Sequence, residues 1–164
     1  MTIQEKSVKS VSARFEDVSA RIRAAAVRVN RDPGEITLVG IGKTHPASTL
    51  REALDAGMRD LGENRVQEAE SKIIELGRRT ARWHLVGHLQ ANKARKAVRL
   101  FDVVHSLDSR ELAERLDRMC IQESVKELST LIQVDLGGES TKTGIEEHNL
   151  AGLAQTFRDL QRLR

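Results

Sequence analysis

The sequence predicts an α/β fold, with a parallel sheet and helices packed outside it. Three observations lead there. Short apolar runs rich in β-branched residues alternate with segments of helical periodicity. Glycine, proline and small polar residues punctuate the junctions. After one leading helix the alternation repeats five times along the 164 residues, and regular strand–helix alternation implies parallel strands. Two closures satisfy this pattern. An open doubly wound sheet is complete with five strands. A (β/α)8 barrel needs eight strands and roughly 250 residues. The chain ends on "QRLR", where a sixth strand would begin. A barrel here would therefore be a partial one: a single domain over 1–164, with a helical leader at 1–33 and strand–helix units over 35–164.

Each element has its own justification. Val8, Val11, Phe15, Val18, Ile22, Ala25 and Val29 recur at spacings of three and four, which makes one face of a long amphipathic helix. "NRDPG" stops it, and "ITLVGIG" follows as a buried strand. Pro46 suits the first turn of a helix carrying Leu50, Ala53 and Leu54, which ends near Gly57. "RDLGEN" reads as a strand and its exit loop, and "VQEAESKIIEL" as a helix capped by Gly77. "RWHLVG", "DVVHSLD" and "LSTLIQVDL" are the remaining strands. "NKARKAVRLF" supplies a third crossover helix. Asp108 with Glu111 suggests a capping box opening the next helix, with Leu112, Leu116 and Met119. The last helix carries Leu150, Leu153, Phe157 and Leu160.

Composition excludes several function classes. No apolar run approaches the ~20 residues that span a bilayer. "MTIQEKSVKS" lacks the apolar core of a signal peptide, so the expected location is the cytoplasm. A single cysteine, Cys120, precludes an internal disulfide and suits a reducing compartment. Tyrosine is absent, and three phenylalanines and one tryptophan cannot build a base-stacking platform. The pI of about 9.3 invites a nucleic-acid reading. Lys+Arg at 27 against Asp+Glu at 24 is nearly balanced, however, and describes a mixed-charge surface.

The residues that could carry chemistry cluster at strand ends. Lys43 closes the first strand, in phase with Val39 and Ile41. In a barrel that phase points to the C-terminal mouth, where active sites lie. Burial there would favour the neutral amine, the form that condenses with an aldehyde. Gly40 and Gly42 would remove bulk and let a flat ring approach the backbone. Strand-end lysines more often simply reach water. In "LGEN", Glu63 suits a helix cap and Asn64 a ligand hydrogen bond. His84 and His88 bracket a strand end without helical metal-ligand geometry, and His84 reads as a core histidine with its bonds satisfied. "NKARK" reads as the solvated face of a helix. "GESTKTG" holds Lys142 before, rather than after, the glycine, so it is not a Walker loop. Cys120 falls on an apolar helical stripe as core filler.

Taken together, "GKTHP", "AGMRDLGENRVQE", "WHLVGHLQANK", "HSLDS" and "ESTKTGI" occur in an order and spacing that resembles the pyridoxal 5′-phosphate (PLP) homeostasis proteins. The fold of that family is similar to the N-terminal domain of alanine racemase. The likeness runs from about residue 36 to the end, with the helical leader in place. It implies a (β/α)8 barrel holding PLP as a Schiff base on the first-strand lysine, here Lys43. Asn64 matches the family's "GEN" position beside the cofactor. Lys142 matches the lysine of a loop near the mouth. The resemblance implies a protein that binds, buffers or passes on PLP, with PLP-dependent apoenzymes as recipients and no established catalysis.

The resemblance also has a gap. With about five units present, the family's late phosphate-binding stretches have no counterpart in the sequence, which predicts weakened PLP affinity. Open sheet edges predict self-association. A PLP-dependent racemase is the alternative reading, but such chemistry needs an acid/base group on each face of the cofactor. Racemases of this fold usually take one of these, a tyrosine, from a second domain, and this chain has none. Neither membrane nor nucleic acid is an expected partner.

Overall fold

The computed structural model describes residues 10–137 and 143–164. The leading helix α1 (Val11–Arg28) is followed by five strands alternating with four helices: β1 (Val39–Ile41), α2 (Ala47–Asp55), β2 (Asp60–Glu63), α3 (Val66–Leu76), β3 (Arg82–Leu85), α4 (Ala94–Leu100), β4 (Val103–Leu107), α5 (Arg110–Gln122) and β5 (Ser129–Ile132). Two short strands, β6 (Val134–Asp135) and β7 (Ile145–Glu146), precede α6 (Leu150–Thr156). The five strands form one sheet in the order β1-β2-β3-β4-β5, every pair parallel. Sequential order with parallel pairing is the arrangement of part of a (β/α)8 barrel, whereas a doubly wound sheet reverses its strand order midway.

An isolated parallel bridge lies beside the β5 edge. Leu163 bridges Leu128 in parallel, with the Leu128 N–H donating to Arg162 O (2.9 Å) and the Arg164 N–H to Leu128 O (3.0 Å). The sheet edge beside β5 is thus partly occupied, while β1 remains an edge strand. Asp117, buried on α5, holds this return segment: its Oδ1 accepts from the backbone N–H groups of Gln161 (3.0 Å) and Arg162 (2.7 Å).

The core lies between the sheet and the helices. Leu61, Trp83, Leu85 and Val104 project from the strands onto Leu50, Ala69, Ile73, Ala97, Leu112 and Leu116 of the helices, all buried. Cys120 is fully buried among them, and burial pushes its thiol up to about 11, so it is inert filler as expected. Gly57 and Gly77 end α2 and α3 at positive φ (102° and 99°), a conformation that glycine adopts without penalty.

Several expectations are corrected. The first strand is only three residues long, because Pro33–Glu35 forms a 3-10 turn and Gly42 opens the exit loop. "LSTLIQVDL" divides into β5 and β6, with the Gln133 N–H bonded to Leu107 O between them. Helix α5 is capped by Ser109, whose hydroxyl accepts from the Leu112 N–H at 3.3 Å, rather than by an Asp108 capping box. Pro46 is the N-cap of α2 rather than its first residue. On α1, Val11, Phe15, Val18 and Ile22 are half-buried, but Ala25 and Val29 face solvent and Ala26 is buried instead.

Asp117→Ala removes the acceptor that holds the return segment against α5. It is expected to lower stability by about 2 kcal/mol, the scale of two backbone hydrogen bonds to a buried carboxylate. Urea unfolding followed by fluorescence of Trp83, the only tryptophan, measures it.

Candidate functional site

Strand pairing dictates which side chains share a face. The register aligns Ile41 with Gly62, Gly62 with His84, and His84 with Val103. With the two-residue period of a strand, Leu61, Glu63, Trp83, Leu85 and Val104 face the helices. Val39, Ile41, Asp60, His84 and His105 share the opposite face, which in a closed barrel is the interior. Ile41 is 43% exposed and Leu131 51%, so this second face is only partly covered.

Lys43 lies at the C-terminal end of β1, in the turn after the strand. It is exposed, so the expectation of a buried amine does not hold. Among the described residues its ammonium has no hydrogen-bond or ion-pair partner. Continuing the Ile41–Gly62 register by two residues sets Lys43 level with Asn64 at the end of β2. Asn64 is half-buried and lines an open cavity of about 540 Å³ with Gln67, His88, Gln90 and Lys93, a cavity that Lys43 does not line. Gly87 packs against Asn64: a Cβ there would stand 2.3 Å from Asn64 O. Lys142 lies outside the described residues.

The two glycines before Lys43 serve the other face. A Cβ on Gly40 would meet Met58 Sδ at 2.2 Å, and one on Gly42 would meet Glu63 Oε1 at 2.4 Å and Leu50 methyls at 3.0 Å. They let α2 and the Glu63 side chain close onto the strand. Both also line a cavity of about 300 Å³ with Phe15, Val18, Leu50 and Met58, a cavity that Lys43 does not line.

Glu63 is not a helix cap. It is fully buried at the end of β2, and Oε1 accepts from Lys72 Nζ of α3 at 2.7 Å. Lys72 Nζ also donates to the Gly42 carbonyl at 2.7 Å. Burial pushes the Glu63 carboxyl above the usual carboxylate range, and the Lys72 hydrogen bond and charge oppose that. Lys72 escaped the sequence reading, although it left a signal there. It falls on the stripe of α3 marked by Ala69, Ile73 and Leu76, where a lysine needs a buried partner.

Thr44 has φ +66°. A β-branched residue in the left-handed region is an outlier that costs on the order of 1–3 kcal/mol and clusters at functional sites. Nothing in "GKTHP" announces it.

On the interior face, His84 Nε2–H donates to Asp60 Oδ1 (3.0 Å), because a carboxylate only accepts, and His84 Nδ1 shares a hydrogen bond with His105 Nε2 (2.9 Å). His84 is 4% exposed and satisfied, as expected for a core histidine. His88 stands apart, with Nδ1 3.5 Å from Asp108 Oδ2. "NKARK" is a helix face as read: Arg95 pairs with Glu123 and Lys96 with Glu70. Among the described residues no group of three or more metal-ligating side chains comes together.

Burial, then the neighbouring His84, then Arg82 hold His105 below the ordinary imidazole range. The folded state therefore binds fewer protons than the unfolded state just below pH ~6.5. Stability is retained above that value and is lost as pH falls through it. His105→Gln is expected to flatten this acid-side decline in urea titrations between about pH 8 and about pH 5.

Comparison with known proteins places this geometry in a family. Residues 15–164 match the family described as alanine racemase, N-terminal domain. The pyridoxal phosphate homeostasis protein of Escherichia coli K12 is 41% identical over 160 residues, covering 96% of this chain and 68% of that protein. PipY of Synechococcus elongatus, solved without PLP and with PLP bound, superposes with TM-scores of 0.76 and 0.73 at 42% and 41% identity. Those matches cover 87% of this chain and 66% and 65% of the PipY chains. The chain thus spans about two thirds of the length of these relatives. An alanine racemase of Clostridium difficile shares the fold alone, with a TM-score of 0.64 at 11% identity over 87% of this chain and 39% of the racemase. The chain belongs to the alanine racemase N-terminal domain family, within which it is a relative of the pyridoxal phosphate homeostasis proteins.

Proposed function

We propose that this chain binds PLP through Lys43 and serves to hold the cofactor in reversible form. The observation that carries the reading is the state of Lys43: an exposed amine at the C-terminal end of the first strand, with no partner among the described residues. A reversible carbonyl anchor needs an amine free of ion pairs. Lys43 Nζ would hold the cofactor through its aldehyde, in a linkage that water can reverse. Asn64, level with Lys43, is the side chain that would hydrogen-bond the cofactor, and Lys142 is a second lysine for its neighbourhood.

The bound cofactor supplies a reactive aldehyde, which a reversible linkage keeps from side reactions. The relatives' names support a homeostatic rather than catalytic role. PipY with PLP bound supports the ligand. The reading extends to a cytoplasmic setting, to PLP-dependent apoenzymes as recipients, and to self-association through the open β1 edge. Among the described residues no helix is long and apolar enough to cross a membrane.

Titration with PLP is expected to raise a visible imine band. Lys43→Ala should abolish the band while leaving far-ultraviolet circular dichroism unchanged. An equal band in Lys43→Ala would remove Lys43 from this role, and turnover of an amino acid to its enantiomer would replace the non-enzymatic reading with a racemase.

A further inference from the structure

Gly42, Lys43, Thr44 and His45 form a reverse turn, closed by the His45 N–H donating to the Gly42 carbonyl at 3.1 Å. Thr44 occupies the third position with positive φ, where glycine or asparagine is ordinarily required. The Gly42 N–H is tied to Gly62 O at 2.8 Å. Its carbonyl takes a second bond, from Lys72 Nζ, and the same ammonium is held by Glu63. The residue before Lys43 is therefore fixed at both its N–H and its C=O, while the residue after it sits in a conformation the chain would leave if released.

The ion pair is poorly built for stability alone. Glu63 is fully buried, yet Oε2 has no hydrogen-bond partner among the described residues. Buried pairs of this kind are often no more stabilising than apolar residues of similar volume. What Lys72 adds that an apolar residue cannot is a donor to the Gly42 carbonyl.

We propose that Glu63 and Lys72 are positioning residues: the pair clamps the Gly42 carbonyl, holds the strained turn closed and so aims the Lys43 amine. This rests on the reading of Lys43 as the anchor for an aldehyde cofactor. The clamp sets the fraction of molecules with the turn in its binding-competent form, and apparent affinity scales with that fraction.

The test is a double-variant cycle of Lys72→Met and Thr44→Gly with two readouts. One is the apparent Kd for PLP from the imine band. The other is the exchange rate of the His45 amide, which reports the turn without any cofactor. All measurements are made at a temperature where circular dichroism shows each variant folded. Lys72→Met is expected to weaken binding and to speed His45 exchange by about tenfold each. Glycine at position 44 adopts the turn without strain, so the double variant should return to within about threefold of wild type in both. Lys72→Arg, which keeps a donor and a charge, should retain more of both than Lys72→Met.

A Lys72→Met protein that is less stable but, while folded, binds and protects His45 as wild type does would overturn the proposal and leave the pair purely structural. A double variant no better than Lys72→Met would overturn it as well. If wild type forms no imine but His45 exchange follows the cycle as stated, the clamp stands and the anchor reading of Lys43 is what fails.

Discussion

The strands of the main sheet all run the same way and lie in sequence order, and the chemistry of the molecule depends on that constraint. Parallel strands cannot be joined by hairpins, so each needs a helical crossover, and each crossover begins at the same end of the sheet. Lys43, Asn64, His88 and Asp108 come from four different strand ends over 65 positions of sequence, and this geometry gathers them at one rim. The register does the rest. A single slip between β1 and β2 would turn Lys43 and Asn64 to opposite faces.

The two faces of the sheet do different work. The helix-covered face carries the apolar core, and one buried charge, Glu63, intrudes at its upper end. Such a charge is tolerable only with a partner, and Lys72 supplies it from the apolar stripe of α3. The opposite face holds the Asp60–His84–His105 chain, each member satisfied by its neighbour. Polar groups at that level of a sheet are unusual in a simple packed layer. They lie on the face that a closed barrel would turn inward.

The fold was legible because its signals are local and repeated. Five apolar runs, five helical stripes and glycines at helix ends each need only a short window of sequence. Lys43 and Asn64 are singled out for another reason: they sit in short segments whose order resembles a known family. What was hidden depends on contacts between distant segments. Glu63 reads locally as a helix cap, and only the arrival of Lys72 from α3 shows it to be half of a buried pair. Gly40 and Gly42 read as room for a ligand, and only the packing of Met58, Leu50 and Glu63 shows which face they clear. The positive φ of Thr44 runs against its residue type, so no propensity argument finds it. Capping was misassigned by one residue, from Asp108 to Ser109, because both side chains can cap and the choice rests on backbone angles at the strand exit.

The central claim is that one amine, positioned at the end of the first strand, is the attachment point for PLP. Borohydride reduction of the PLP-saturated protein, followed by peptide mapping, tests it most directly, because reduction makes the linkage permanent where it forms. The account predicts a single stoichiometric label on Lys43. A label spread over exposed lysines such as Lys96 and Lys126, or one concentrated on any lysine other than Lys43, would contradict it.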